Sequence, residues 1–99
     1  TVAIVGAGLS GVELASELRE SRDDLNIILF DRGNLILSSF PERLSKYVQN
    51  WFEEHGVRII NRANITKVEE NIVYNHDEPI SADAIVWTAG IQPNKVVRA

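Results

Sequence analysis

The residues whose types and spacing could do chemistry stand near the start of the chain. They are the glycines of Gly6-Ala7-Gly8-Leu9-Ser10-Gly11 and an acid, Asp31, 20 residues past the third glycine. Each glycine answers a different steric demand: Gly6 permits a tight turn out of a strand, Gly8 lets the backbone approach a diphosphate, and Gly11 lets a helix pack closely on a strand. The six-residue pattern alone is weak. It gains meaning from a strand before it, a helix opening on it and an acid about 20 residues on, and all three conditions are met here. The chemistry is anion binding, because the unpaired N–H groups and positive dipole end of a helix start favour a pyrophosphate without needing Lys or Arg. An acid at the end of the following strand can accept hydrogen bonds from ribose hydroxyls. Gly6, Gly8, Leu9, Ser10, Gly11 and Asp31 are thus candidate residues for binding NAD(H).

Arg32 bears on the choice of cofactor. A neighbouring arginine can accommodate the 2′-phosphate of NADP, whereas the carboxylate of Asp31 would repel it. The pair favours NAD(H) and leaves strict preference over NADPH open.

The other ionisable residues offer little. His55 and His76 each stand alone, one at a helix end and one in a turn, and both suit a solvated surface. Neighbouring acids such as Glu53-Glu54 point to different sides of a helix, and the turn acids Glu69-Glu70 are ordinarily solvated. Neither a catalytic residue nor a metal site is expected within these residues.

The elements that must position the glycines and Asp31 can be followed along the chain. Thr1–Val5 is a short β-branched run of the kind buried in a parallel sheet. From Ser10 to about Ser21, Val12, Leu14, Ala15 and Leu18 recur at helical spacing. Asn26–Asp31 is a second buried strand followed by Arg32-Gly33-Asn34 turn chemistry, which completes a βαβ unit. A second helix is predicted from near Pro41 to His55. Ser39 and Glu42 are spaced as a capping box, Leu44, Tyr47, Val48, Trp51 and Phe52 form one apolar face, and Gly56 is the C-cap. Val57–Ile60 is a third strand. Ile65–Glu69 and Asn71–Tyr74, separated by Glu70-Asn71, read as a β-meander with Pro79 at its edge, and Ala84–Thr88 is the last strand.

Composition bounds the function. Ninety-nine residues, 44% apolar, suffice for one domain with one core. Ten Lys and Arg against fourteen Asp and Glu are spread along the chain, so the basic stripe that nucleic acid requires is missing. No apolar run approaches the roughly 20 residues that cross a bilayer, and membrane contact by this domain is not expected. There are no cysteines for a disulfide, a thiolate metal site or a redox dithiol. A chain opening on Thr1 inside a strand and stopping at Ala99 without a terminal signal is expected of a domain, residues 1–99, excised from a larger protein.

The segments Val5-Gly-Ala-Gly-Leu-Ser-Gly-Val-Glu-Leu-Ala15, Phe40-Pro-Glu42, Gly56-Val57 and Val86-Trp-Thr-Ala-Gly90 resemble the NAD-binding domain of the pyridine-nucleotide flavin oxidoreductases, most closely type II NADH dehydrogenases. The resemblance covers nearly the whole chain. It implies an α/β fold: a Rossmann-like three-layer ββα sandwich, with a β-meander crossover in place of a second crossover helix. It also implies that Glu13, two residues after the third glycine, lies near the nicotinamide and the flavin; as a plain first-turn acid it would only favour the helix dipole. Thr88-Ala89-Gly90 maps onto the family's second turn, which places Ala89 and Gly90 along the nucleotide and against the flavin domain. Trp87-Thr-Ala-Gly90 stands where disulfide reductases commonly carry Ala-Thr-Gly, which tilts the resemblance toward the quinone-reducing branch.

The implied parent passes hydride from NADH to FAD, which this domain does not itself bind, and electrons on to a quinone. Its partners are then the flavin-binding domain of the same chain and the quinone. Its expected place is the cytoplasm, with peripheral attachment of the parent to the cytoplasmic membrane face left open. The competing expectations are the NAD(P)H-binding domain of a disulfide, peroxide or ferredoxin reductase and a non-catalytic NAD-responsive module. The cysteine pair of a disulfide reductase would lie in the flavin domain, so cysteine usage here does not separate them.

Overall fold

The computed structural model describes residues 1–88. The strands run β1 (Val2–Val5), β2 (Ile27–Phe30), β3 (Arg58–Ile60), β4 (Ile65–Glu69), β5 (Ile72–Asn75), β6 (Glu78–Ser81) and β7 (Ala84–Trp87). Helix α1 (Leu9–Ser21) joins β1 to β2, and α2 (Glu42–Glu54) joins β2 to β3. Four strands form a parallel sheet in the order β3-β2-β1-β7, and β4-β5-β6 form a separate antiparallel meander.

Alternation of side chains along the parallel strands divides the apolar residues between two layers. Ile4, Ile27 and Leu29 face the helices, where they meet Val12, Ala15, Phe52 and Val57. Ala3, Val5, Ile28, Phe30 and Ile85 face the other way, onto Val73 and Ala82. A sheet buried on both faces explains why these strands read as continuous apolar runs. The fold is the expected three-layer ββα sandwich, with β1 next to β7 where the chain direction of the connections reverses. That switch point is where open α/β sheets bind ligands at their carboxyl edge.

Turn chemistry sets the meander. Asn71 takes a left-handed φ of 66° after β4, and His76 and Asp77 take φ of 49° and 65° between β5 and β6. Two left-handed residues in succession twist as a tight hairpin requires. Pro79 pairs with Tyr74 from the edge strand β6, where its missing N–H faces no partner strand.

Helix α2 departs from its sequence pattern in two ways. Its N-cap is Pro41, which makes no side-chain capping hydrogen bond, and Glu42 is the first helical residue, so the Ser39–Glu42 capping box does not form. The supposed apolar face is only partly covered: Phe52 is fully buried and Val48 and Trp51 are half-buried, but Leu44 and Tyr47 are 42% and 70% exposed. The C-terminus follows expectation. Gly56, at φ 78°, donates to Glu53 O at 3.2 Å, and Val57 N donates to Phe52 O at 2.9 Å, the paired bonds of a Schellman motif.

Candidate functional site

The cleft lies at the carboxyl edge of the parallel sheet, at the last residues of three strands: Val5, Phe30 and Trp87. It measures about 990 Å³, within the range of small-molecule and cofactor sites.

The glycine turn forms its floor. Gly6 has φ 109°, a positive-φ geometry that glycine adopts at little cost and other residues rarely adopt. A Cβ placed on Gly11 would collide with the Gly6 carbonyl, so α1 can pack this closely on the end of β1 only with a bare Cα there. A Cβ on Gly8 would meet nothing within 4 Å, because that Cα opens on the cleft. Open space at the second glycine is what approach to a diphosphate demands, and contact at the third is what close helix–strand packing demands. Val12 N makes the first i→i−4 bond of α1, to Gly8 O at 3.0 Å, so the amides of the preceding turn lie ahead of the helix's own hydrogen bonding. Gly8, the N-cap, supplies no side-chain cap to take them.

The carbonyls of the same turn are held on the protein side. Thr88 N donates to Val5 O at 2.8 Å, the Thr88 hydroxyl lies 3.0 Å from Val5 O and 2.8 Å from Gly6 O, and Leu37 N donates to Ala7 O at 2.8 Å. The carbonyls of Val5, Gly6 and Ala7 are thereby taken by protein donors.

Asp31 follows β2 and is half-buried rather than solvated. One carboxylate oxygen accepts from Gly33 N at 2.8 Å and the other from Ala7 N at 3.3 Å. The acid is therefore oriented from both sides and tied to the glycine turn, with a further lone pair on each oxygen available to a hydroxyl.

Gly6, Gly8, Leu9, Ser10, Gly11, Asp31 and Arg32 all line the cleft. Leu9 and Ser10 are exposed at its floor, and Arg32 is exposed beside Asp31. Glu13 is exposed in the second turn of α1, outside the first turn and outside the cleft lining, so the dipole account of it as a first-turn acid does not hold. Ala89 and Gly90 lie outside the described residues. The sequence pattern missed Ser38, Ala63, Asn64 and Trp87, which also line the cleft. Thr88 entered only as part of the second turn, although its hydroxyl meets the glycine turn directly.

His55 and His76 are exposed, as expected, but each ring has a partner. His55 stacks on Trp51 with ring centroids 4.0 Å apart, and His76 Nε2 lies 2.9 Å from Arg62 O. Among the described residues no three His, Cys, Asp or Glu side chains gather in a metal-holding group, and no helix is long and apolar enough to cross a membrane.

Fold and cleft together define a Rossmann-type module of the nucleotide-binding class. Residues 1–99 match the family model described as pyridine nucleotide-disulphide oxidoreductase, and the chain belongs to that family of NAD(H)- and FAD-dependent oxidoreductases. It is 96% identical over 98 residues to the NADH dehydrogenase-like protein YutJ of Bacillus subtilis, covering 99% of this chain and 28% of that protein. It is 32% identical over 111 residues to the type II NADH:quinone oxidoreductase of Haemophilus influenzae, covering 98% of this chain and 25% of that one. The chain thus spans about a quarter of the length of these curated relatives. Among solved structures, NDH2 from Plasmodium falciparum in complex with NADH superposes with a TM-score of 0.81 at 19% identity, over 90% of this chain and 22% of that one. A ferredoxin reductase from Rhodopseudomonas palustris does so with 0.82 at 21% identity, over 94% and 24%. At these identities the likeness speaks for the fold.

Proposed function

We propose that this chain is the NADH-binding domain of a flavin-dependent NADH dehydrogenase, a larger protein that takes hydride from NADH onto FAD and passes electrons to a quinone. The observation that carries the reading is the Asp31 carboxylate hydrogen-bonded to Ala7 N, which brings a carboxylate and the open Cα of Gly8 into one cleft. The high identity to an NADH dehydrogenase-like protein and the match to a type II NADH:quinone oxidoreductase support the choice of donor and acceptor.

In this reading the first-turn amides of α1 and the positive end of its dipole hold the pyrophosphate. Asp31 accepts from the adenosine ribose hydroxyls and opposes a 2′-phosphate, while Arg32 limits that discrimination. Glu13, Ala89 and Gly90 are assigned to the nicotinamide end, where the flavin domain closes the site. The cofactors supply the redox chemistry, and this chain's residues bind and orient the dinucleotide. Isothermal titration with NADH and NADPH tests the assignment: saturable NADH binding that exceeds NADPH binding is expected, and a preference for NADPH would overturn the choice of cofactor.

A second reading has its own support. The chain is 31% identical over 100 residues to a glutathione reductase of Nostoc, covering 94% of this chain and 21% of that protein. The two readings share the cleft and differ in the acceptor. Quinone reduction by the full-length parent, against reduction of a disulfide, separates them.

A further inference from the structure

Ser45 is 2% exposed, the buried polar side chain of the described core, and the proposed binding site gives it no task. Its hydroxyl, on the first turn of α2, donates to Leu37 O at 2.8 Å. Leu37 is unusual in turn. It is a buried leucine, 4% exposed, held at φ 54°, a left-handed conformation that leucine adopts only when its surroundings enforce it. The enforcing contacts are all present: the side chain packs with Ile36 and Phe52, Leu37 O accepts from Ser45 and from Phe40 N, and Leu37 N donates to Ala7 O at 2.8 Å. One turn further along α2, Gln49 Oε1 accepts from Ile36 N at 3.3 Å, and its own amide is oriented by Asn61 at 2.9 Å.

We propose that Ser45 is a positioning residue for the dinucleotide, fixing Leu37 so that the Leu37 amide holds the Ala7 carbonyl and aims the following amides of the glycine turn into the cleft. The inference rests on the nucleotide-binding reading above and extends it to a residue that touches no ligand. The physical reason is that the left-handed Leu37 relaxes toward an ordinary conformation once a tether is cut. Relaxation withdraws the donor from Ala7 O, and that peptide then turns freely beside the site where the diphosphate is gripped. Gln49 provides the second tether to the same connection, so α2 clamps it at two points.

The test compares ligands with and without a pyrophosphate. In Ser45→Ala, the Kd for ADP-ribose is expected to rise about tenfold, equivalent to about 1.4 kcal/mol, while adenosine binding stays within about twofold of the wild-type chain. Gln49→Leu is expected to shift the same ligands in the same direction, and it keeps the test open should Ser45→Ala not fold. Ile27→Val, which trims the buried start of β2 at the opposite edge of the sheet, serves as a control for general loss of stability and is expected to leave ADP-ribose binding unchanged. Wild-type ADP-ribose affinity in both α2 variants, or equal losses for adenosine, or the same loss in Ile27→Val, would overturn the proposal. A wild-type chain that binds neither NADH nor ADP-ribose would overturn the nucleotide reading together with it, which distinguishes the two failures.

Discussion

The Asp31 carboxylate reaches from the end of β2 toward the end of β1 to accept a hydrogen bond from the Ala7 amide at 3.3 Å, joining the acid that follows the second strand to the glycine turn that follows the first. The two halves of the sequence motif, 20 residues apart, are thereby one structural unit in which the acid supports the turn as well as facing the cleft.

Asp31→Ala should accordingly act twice. A charged acceptor to ribose contributes about 1.5–3 kcal/mol, so NADH affinity is expected to fall about tenfold to a hundredfold, and the preference over NADPH to narrow as Arg32 becomes free to meet the 2′-phosphate. Because the half-buried carboxylate also accepts from Gly33 N and Ala7 N, stability should fall by about 1.5 kcal/mol. Titration with both cofactors and thermal denaturation measure the two effects. An unchanged cofactor ratio would show that Asp31 does not read the ribose.

The glycines should separate by role. Gly11→Ala drives a Cβ into the Gly6 carbonyl and is expected to destabilise the domain on the order of 3 kcal/mol, read as a lowered denaturation midpoint. A folded variant of wild-type stability would contradict the close helix–strand contact.

Thr88→Val removes the hydroxyl that meets Val5 O and Gly6 O, whereas Thr88→Ser keeps it. The valine variant should lose about 1–2 kcal/mol and the serine variant markedly less, by chemical denaturation. A valine variant as stable as the wild-type chain would contradict a stabilising role for the hydroxyl.

Acid titration has a local signature. The Arg22 guanidinium, hydrogen-bonded to Asp24 through Nε at 2.8 Å and Nη2 at 2.7 Å, lowers the Asp24 pKa to about 2 from an ordinary 3.8. A depressed folded-state pKa means that this pair's contribution is fully present above 3.8 and is lost as pH falls through about 2. NMR titration of the Asp24 carboxyl should show the low midpoint in the wild-type chain and a return toward 3.8 in Arg22→Ala. A midpoint unmoved by that substitution would contradict the pairing.

Much of the fold was legible because a parallel sheet covered on both faces leaves continuous apolar runs, and Gly6-x-Gly8-x-x-Gly11 with Asp31 fixes which strands adjoin the cleft. Local pattern misled in α2. Leu44 and Tyr47 have helical spacing with Phe52, but spacing cannot say how wide a stripe the sheet will cover, and Ser39 lost its cap role because Pro41 took the N-cap position. Ser38, Ala63 and Asn64 were illegible for another reason: they reach the cleft through connections that converge over the sheet edge, without periodicity or motif. Ser45 and Thr88 belong with them, since what makes them matter is the backbone carbonyl each hydroxyl meets, a tertiary fact.

The central claim is that the cleft at the glycine turn binds NADH, and titration of wild-type and Gly8→Val chains with NADH tests it most directly. Gly8 has φ −77° and open space around its Cα, so valine should be accepted by the fold while standing where the pyrophosphate approaches. Saturable binding by the wild-type chain, without co-purifying flavin, and its loss in a Gly8→Val chain of unchanged circular dichroism are the predicted result. Equal NADH affinity in the two chains would contradict the account.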